Sequence, residues 1–150
     1  MSEYIDASII VKWFKEDESY FDESNALLQR VVKMNTSFVM NSYGILEVIR
    51  ALVKANVSQK YIQDAFQNLS DLYGIGAIKN IPLESILHLS KDIEIDINLY
   101  ASDAVHVASA IFSDCSLFWS ADKHHTKQKT RTYLQKYNIK VKHIKELITN

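Results

Sequence analysis

Short apolar segments alternate with longer stretches of helical periodicity along the whole of this 150-residue chain. Five short segments read as strands: Glu3 to Asp6, Ser37 to Met40, Ala77 to Ile81, Leu117 to Ser120 and Lys140 to His143. Between them apolar side chains return every three or four positions, as at Leu27, Leu28, Val31 and Val32, or at Ile45, Val48, Ile49 and Leu52. Parallel strands need a long crossover, usually a helix, so this alternation predicts an α/β fold with a mainly parallel sheet. Only three glycines and one proline are present, too few for the many tight turns of an all-β sandwich.

Local signals place the helices. Ser8 is a candidate cap for a short helix reaching Phe14 or Lys15, and a second helix covers Tyr20 to Met34. A third spans Ser42 to Ala55. Ser58 caps the next, through Leu72, with Tyr61, Ile62, Ala65, Phe66 and Leu69 expected inward, and Gly74-Ile75-Gly76 breaks it. Pro82 suits the start of a helix running from Leu83 to about Ile93. Ser102 is the expected cap of an apolar helix from Asp103 to Phe112, and Lys127 to Tyr137 reads as a basic helix. No repeat, low-complexity tract or linker interrupts the pattern, which predicts one domain over residues 1–150, large enough to bury a real core.

Four acids stand where hydrophobic segments end or helices run: Asp6, Glu47, Asp103 and Asp122. Acids at the C-terminal ends of neighbouring parallel strands face the crevice where open α/β sheets bind ligands. Carboxylates gathered there repel one another unless a cation neutralises them, and hard oxygen ligands suit Mg²⁺ or Mn²⁺. The pattern therefore points to a divalent-metal site for phosphate chemistry. Each acid also has a plain reading. Asp6 could cap a helix, and Asp103 could answer the dipole at a helix start. Glu47 could pair with Arg50 one turn on, and Asp122 could sit in a turn.

Charge is unevenly spread. From Lys123 to Lys145 there are eight Lys or Arg and no Asp or Glu, while the earlier part of the chain is strongly acidic. A basic arm beside an acidic pocket suits an enzyme acting on a polyanion, and a solvated terminal helix is the plainer account. Asp92, Glu94 and Asp96 read as a solvated acidic surface. Adjacent His124 and His125 lack the spacing of a helical zinc pair, and Cys115 is alone, so zinc is rejected. The lone cysteine suits a reducing compartment. No stretch approaches the roughly 18 uninterrupted apolar residues of a membrane span, so the expected location is cytoplasmic, with no membrane partner.

Four blocks, Tyr4 to Phe14 (YIDASIIVKWF), Asn41 to Leu52 (NSYGILEVIRAL), Leu99 to Ile111 (LYASDAVHVASAI) and Phe118 to His125 (FWSADKHH), resemble the motifs of PIN-domain nucleases in family order. The short chain resembles the VapC-type toxins of toxin–antitoxin pairs. The resemblance implies a three-layer α/β/α domain in which Asp6, Glu47, Asp103 and Asp122 are both catalytic and metal-binding. It implies an Mg²⁺- or Mn²⁺-dependent endoribonuclease, frequent dimerisation into a homodimer, and inhibition by a cognate antitoxin protein. Ser8 and Ser120 would steady the acids from behind. His106, Lys123, Lys127, Lys129 and Arg131 would be candidates for contact with an RNA substrate. Lys123, His124 and His125 follow Asp122 where some relatives carry a further acid or amide, which argues against a second tightly held metal.

Two other classes compete. A non-catalytic PIN-like scaffold would bind RNA or protein without turnover. A receiver-type phosphoacceptor also gathers acids at strand ends, but it needs paired acids after the first strand and an Asp ending the third. Here Asp6 is single and the third strand candidate runs into Asn80-Ile81-Pro82.

Overall fold

The computed structural model describes residues 1–147; residues 148–150, the tail of the expected domain, lie outside them. Five strands form one sheet: β1 (Ser2–Ile5), β2 (Ser37–Val39), β3 (Ile78–Lys79), β4 (Leu117–Ser120) and β5 (Lys140–His143). Their order is β3-β2-β1-β4-β5 and every pairing is parallel, as the alternating sequence predicts. Tyr4 lies opposite Val39 on one side and Phe118 on the other. Tyr4, Ile5, Phe118 and Trp119 are all buried, because helices cover both faces of a parallel sheet and leave no strand face for water.

The helices are α1 (Ala7–Trp13), α2 (Phe21–Lys33), α3 (Tyr43–Lys54) and α4 (Gln59–Gly74) before β3. After it come α5 (Leu87–Ile97), α6 (Ala101–Phe112), and two short ones, α7 (Lys123–Thr126) and α8 (Gln128–Gln135). From β1 the chain builds outward through β2 to β3, then crosses back to lay β4 and β5 on the other side of β1. Right-handed crossovers in opposite directions put their helices on opposite faces. Accordingly α1 packs on α2 and α3, while α5 packs on α6 and α8, which gives three α/β/α layers. The strand order reverses between β1 and β4, so a crevice opens at their C-terminal ends. There the Asp6 amide donates to the Trp119 carbonyl at 3.0 Å, fixing the two strand ends together.

Several local expectations need correction. Ser8 does not cap α1: Asp6 has the extended backbone of a cap, and Ser8 lies inside the helix. Ser102 likewise lies inside α6, whose cap position is Tyr100, so Asp103 sits two places deeper than expected. Ser58 does cap α4, accepting from the Tyr61 amide at 3.2 Å. On α4, Ala65 and Leu69 face the core, but Tyr61 and Phe66 are exposed. The segment after Pro82 starts as a 3₁₀ turn (Leu83–Ile86), and α5 runs on to Ile97, where Asn98 takes a left-handed backbone that ends it. The basic stretch forms two helices, because Lys127 is extended between α7 and α8. Gly76, at φ +79°, makes the left-handed turn out of α4 at a position where a side chain would be strained.

Among the described residues, no helix is long and apolar enough to cross a membrane. Cys115 is buried, and burial with the nearby charges of Asp114 and Glu3 pushes its thiol up to about 12. The thiolate is the reactive form. The native protein should therefore resist iodoacetamide near neutral pH and be alkylated fully in denaturant, as read by intact mass. Rapid native labelling would contradict the burial.

Candidate metal centre

Asp6 is the hub of the crevice. It leaves the end of β1 and is only 3% exposed. Its Oδ2 accepts from the Ser8 hydroxyl at 2.7 Å and the Ser120 hydroxyl at 3.0 Å, and lies 3.2 Å from Nδ1 of His125. Ser8 and Ser120 are themselves held by amides: Ala121 donates to Ser8 at 2.9 Å and Asp122 to Ser120 at 2.9 Å. The backbone after β4 thus orients two hydroxyls, and the hydroxyls orient Asp6. With Oδ2 engaged by three donors, Oδ1 is the atom left facing the pocket, 3.7 Å from His106 Nε2.

The other acids arrive from different elements. Glu47 projects from α3 and pairs with Nε2 of His106, not with Arg50. Asp103, in the first turn of α6, lies 3.3 Å from Nε2 of His125. Asp122 follows β4 and caps α7, accepting from the His124 amide at 2.8 Å, so its turn reading is also met. Asp6, Glu47 and His106 offer ligand atoms within 4.8 Å of one another, and so do Asp6, Asp122 and His125. The structure therefore brings all four predicted acids around one pocket, together with two histidines.

His106 is fully buried, so its ring is enclosed by protein and is not a surface for RNA, contrary to its sequence expectation. The Asn41 amide donates to the Tyr4 hydroxyl at 3.0 Å, which leaves the Tyr4 proton to donate to His106 Nδ1 at 2.5 Å. The Nε2 proton of His106 is then aimed at Glu47. Burial holds the Tyr4 hydroxyl well above its ordinary pKa, which keeps it a donor. His106 is a positioning residue for Glu47.

The residue of the crevice that the sequence reading missed is His125. Its ring is 1% exposed and lies between Asp6 and Asp103. His124 shares its dipeptide but not its place; its ring lies beside Tyr100. The signal was Asp122: once α7 starts there, position 125 is one turn on, inside the crevice.

Electrostatics follow the geometry. Burial alone would raise the Asp6 carboxyl, but the charge and hydrogen bond of His125, helped by His106 and Ser8, hold it well below the usual range. Burial alone would lower His125, but Asp6, then Asp103 and Asp122, raise it to about 9. Burial raises the Asp103 carboxyl; Asp122 and Asp6 push the same way and His125 opposes them. Asp6 is thus held ionised by its histidine partner, while burial and like charge push Asp103 toward its neutral form.

The basic arm divides. Lys123 on α7, Lys127 at the junction and Lys129 on α8 are exposed. Arg131 is not free to meet RNA as expected: Nε donates to Thr126 O at 2.8 Å and Nη1 to Val141 O at 2.7 Å, tying α8 to β5. Asp92, Glu94 and Asp96 are exposed on α5, as a solvated surface should be.

A three-layer α/β/α domain with an acid-lined crevice at its switch point belongs to the ligand-binding class of open parallel sheets. Within that class the PIN domain family model matches residues 4–130, and the chain belongs to that family. PIN domains are generally nucleases and typically use divalent metal ions. The fold is similar to a chain in the crystal structure of VapBC2 from Rickettsia felis bound to a DNA fragment from their promoter. That match has a TM-score of 0.57 and 15% sequence identity, covering 95% of this chain and 98% of that one. No curated protein sequence matches.

Proposed function

We propose that this protein is a divalent-metal-dependent endoribonuclease, acting as a single domain over residues 1–150. The observation that carries this reading is the convergence of Asp6, Glu47, Asp103 and Asp122 around the switch-point crevice, with Asp6 and Asp103 buried and Glu47 and Asp122 half-exposed. The residues present fit a cation, because four carboxylates gather there and Nε2 of His125 has no hydrogen-bond partner among the described residues. Asp6, Glu47, Asp103 and Asp122 would hold Mg²⁺ or Mn²⁺, some directly and some through water. A bound divalent ion supplies Lewis acidity for water attack at phosphorus and for the departing 3′-oxygen. Ser8, Ser120 and His106 keep Asp6 and Glu47 in place. Lys123 and Lys127, exposed beside the pocket, would gather the phosphates of the RNA strand.

The similarity to a VapBC2 chain supports a toxin role with an antitoxin protein as partner; a homodimer is the assembly that the family resemblance implies. An exposed apolar cleft between α3 and α4, lined by Leu46, Ile49, Ile62 and Phe66, supports protein contact. The fold and the lone buried thiol are consistent with a cytoplasmic setting.

The test is incubation of the purified protein with structured RNA in Mg²⁺, Mn²⁺ or EDTA. Cleavage that EDTA abolishes, leaving 5′-phosphate and 3′-hydroxyl ends, is the expected result. Persistent absence of cleavage across diverse RNAs would favour a non-catalytic binding scaffold, a reading that the imidazole of His125 between Asp6 and Asp103 would suit.

A further inference from the structure

Resting on the metal reading above, we infer that His125 is itself a metal ligand, through Nε2, and that this nitrogen turns the pocket toward Mn²⁺ over Mg²⁺.

The two pocket histidines differ in what their nitrogens have left to give. His106 has both committed, one to the Tyr4 hydroxyl and the other to Glu47. His125 has one committed. Its Nδ1 lies 3.2 Å from Asp6 Oδ2, and its Nε2 has no hydrogen-bond partner among the described residues. The Asp103 carboxylate approaches Nε2 to 3.3 Å, but without hydrogen-bond geometry. Nε2 thus has a carboxylate nearby but no hydrogen bond, and a buried nitrogen left so costs about 1–3 kcal/mol.

The arrangement is that of an imidazole prepared for a metal. Ligating histidines commonly donate their other ring N–H to a carboxylate, which fixes the tautomer and aims the free lone pair. Asp6 Oδ2 is placed to accept that proton; Nε2 faces Asp103, and the proton that the surrounding acids favour on the ring would leave on ligation, as metal binding to histidine requires. Two donors on adjacent positions of one ion, each bonded at about 2.1–2.2 Å, lie roughly 3 Å apart, close to the observed separation. Asp122 and Asp6 form a candidate donor group with the His125 ring, one atom of each within 4.8 Å of the others. The ring is held firmly, being 1% exposed and packed 5.2 Å from Phe118, centre to centre.

The chemical consequence is selectivity. Carboxylate and water suit Mg²⁺ and Mn²⁺ alike, whereas imidazole suits transition ions and is a poor partner for Mg²⁺. An all-carboxylate pocket would separate the two ions little. Adding one buried nitrogen strengthens the hold on Mn²⁺ and does little for Mg²⁺.

The experiment is Mn²⁺ titration of chelator-stripped protein, with free Mn²⁺ read by room-temperature EPR and bound Mn²⁺ by pulsed EPR. Wild type should show echo modulation from a directly coupled ¹⁴N that changes when histidine is ¹⁵N-labelled. His125→Gln should abolish that modulation and weaken Mn²⁺ binding at least about tenfold, while Mg²⁺ competition shifts by less than about threefold. His106→Gln should keep the modulation. Circular dichroism checks the fold of each variant; if His125→Gln does not fold, the wild-type spectra with and without ¹⁵N-histidine decide alone. Mn²⁺ bound without nitrogen coupling would overturn the role of His125 and leave the carboxylate site standing. Equal affinity of wild type for both ions would overturn the selectivity. No Mn²⁺ binding at all would overturn this inference together with the metal reading.

Discussion

Asp6→Asn should lower RNA turnover at least about 10²-fold, the scale of losing one strong electrostatic stabiliser. The substitution keeps the shape of the side chain and removes its charge. That charge faces His125 at 3.2 Å and His106 at 3.7 Å, and it is the only one that both proposed ligand groups share. An amide in its place still accepts from Ser8 or Ser120 through its oxygen, but its NH₂ cannot ligate a cation. Metal affinity and rate should therefore fall together. Single-turnover cleavage with wild type and variant side by side, after circular dichroism has shown the variant folded, measures the effect. A folded Asp6→Asn protein that cuts RNA at the wild-type rate would remove the basis for the metal assignment, or expose a contaminating ribonuclease.

The largest effect on stability should come from Phe118→Ala. Phe118 is fully buried in β4, stacks on Tyr4 with ring centres 5.0 Å apart, and lies 5.2 Å from the His125 ring. Truncation removes the apolar surface and leaves a cavity between two central strands, which typically costs about 3–5 kcal/mol. For a domain of this size each kcal/mol lowers Tm by about 2–4 °C, so a fall of roughly 10 °C is expected. Urea melts would read the same loss. A change under about 1 kcal/mol would mean that the sheet centre repacks freely, against the close packing of protein interiors. Since Tyr4 also carries His106, the same variant should loosen the pocket.

Much of this was legible in the sequence because strand ends and acids coincide. Apolar runs that finish in Asp6 and Asp122 mark both a strand and its C-terminal edge, and parallel topology does the rest. Helix starts were less legible. Ser8 and Ser102 are good cap residues by type, but a cap needs extended backbone, and the chain reaches that at Asp6 and Tyr100. Amphipathic periodicity placed Tyr61 and Phe66 inward, yet α4 buries only a narrow stripe. Charge counting made Arg131 look free, although its guanidinium serves two carbonyls. His125 was hidden by its neighbour: reading His124-His125 as a pair obscured its helical relation to Asp122.

The strand order has a consequence for the time at which the pocket can exist. Asp6 lies 114 residues before Ser120 and 119 before His125, both of which touch it, and β4 is the strand that sits beside β1. No growing chain short of that point holds the complete acid set. On the proposed function, the enzyme is inert until synthesis has passed His125 and β4 has paired with β1.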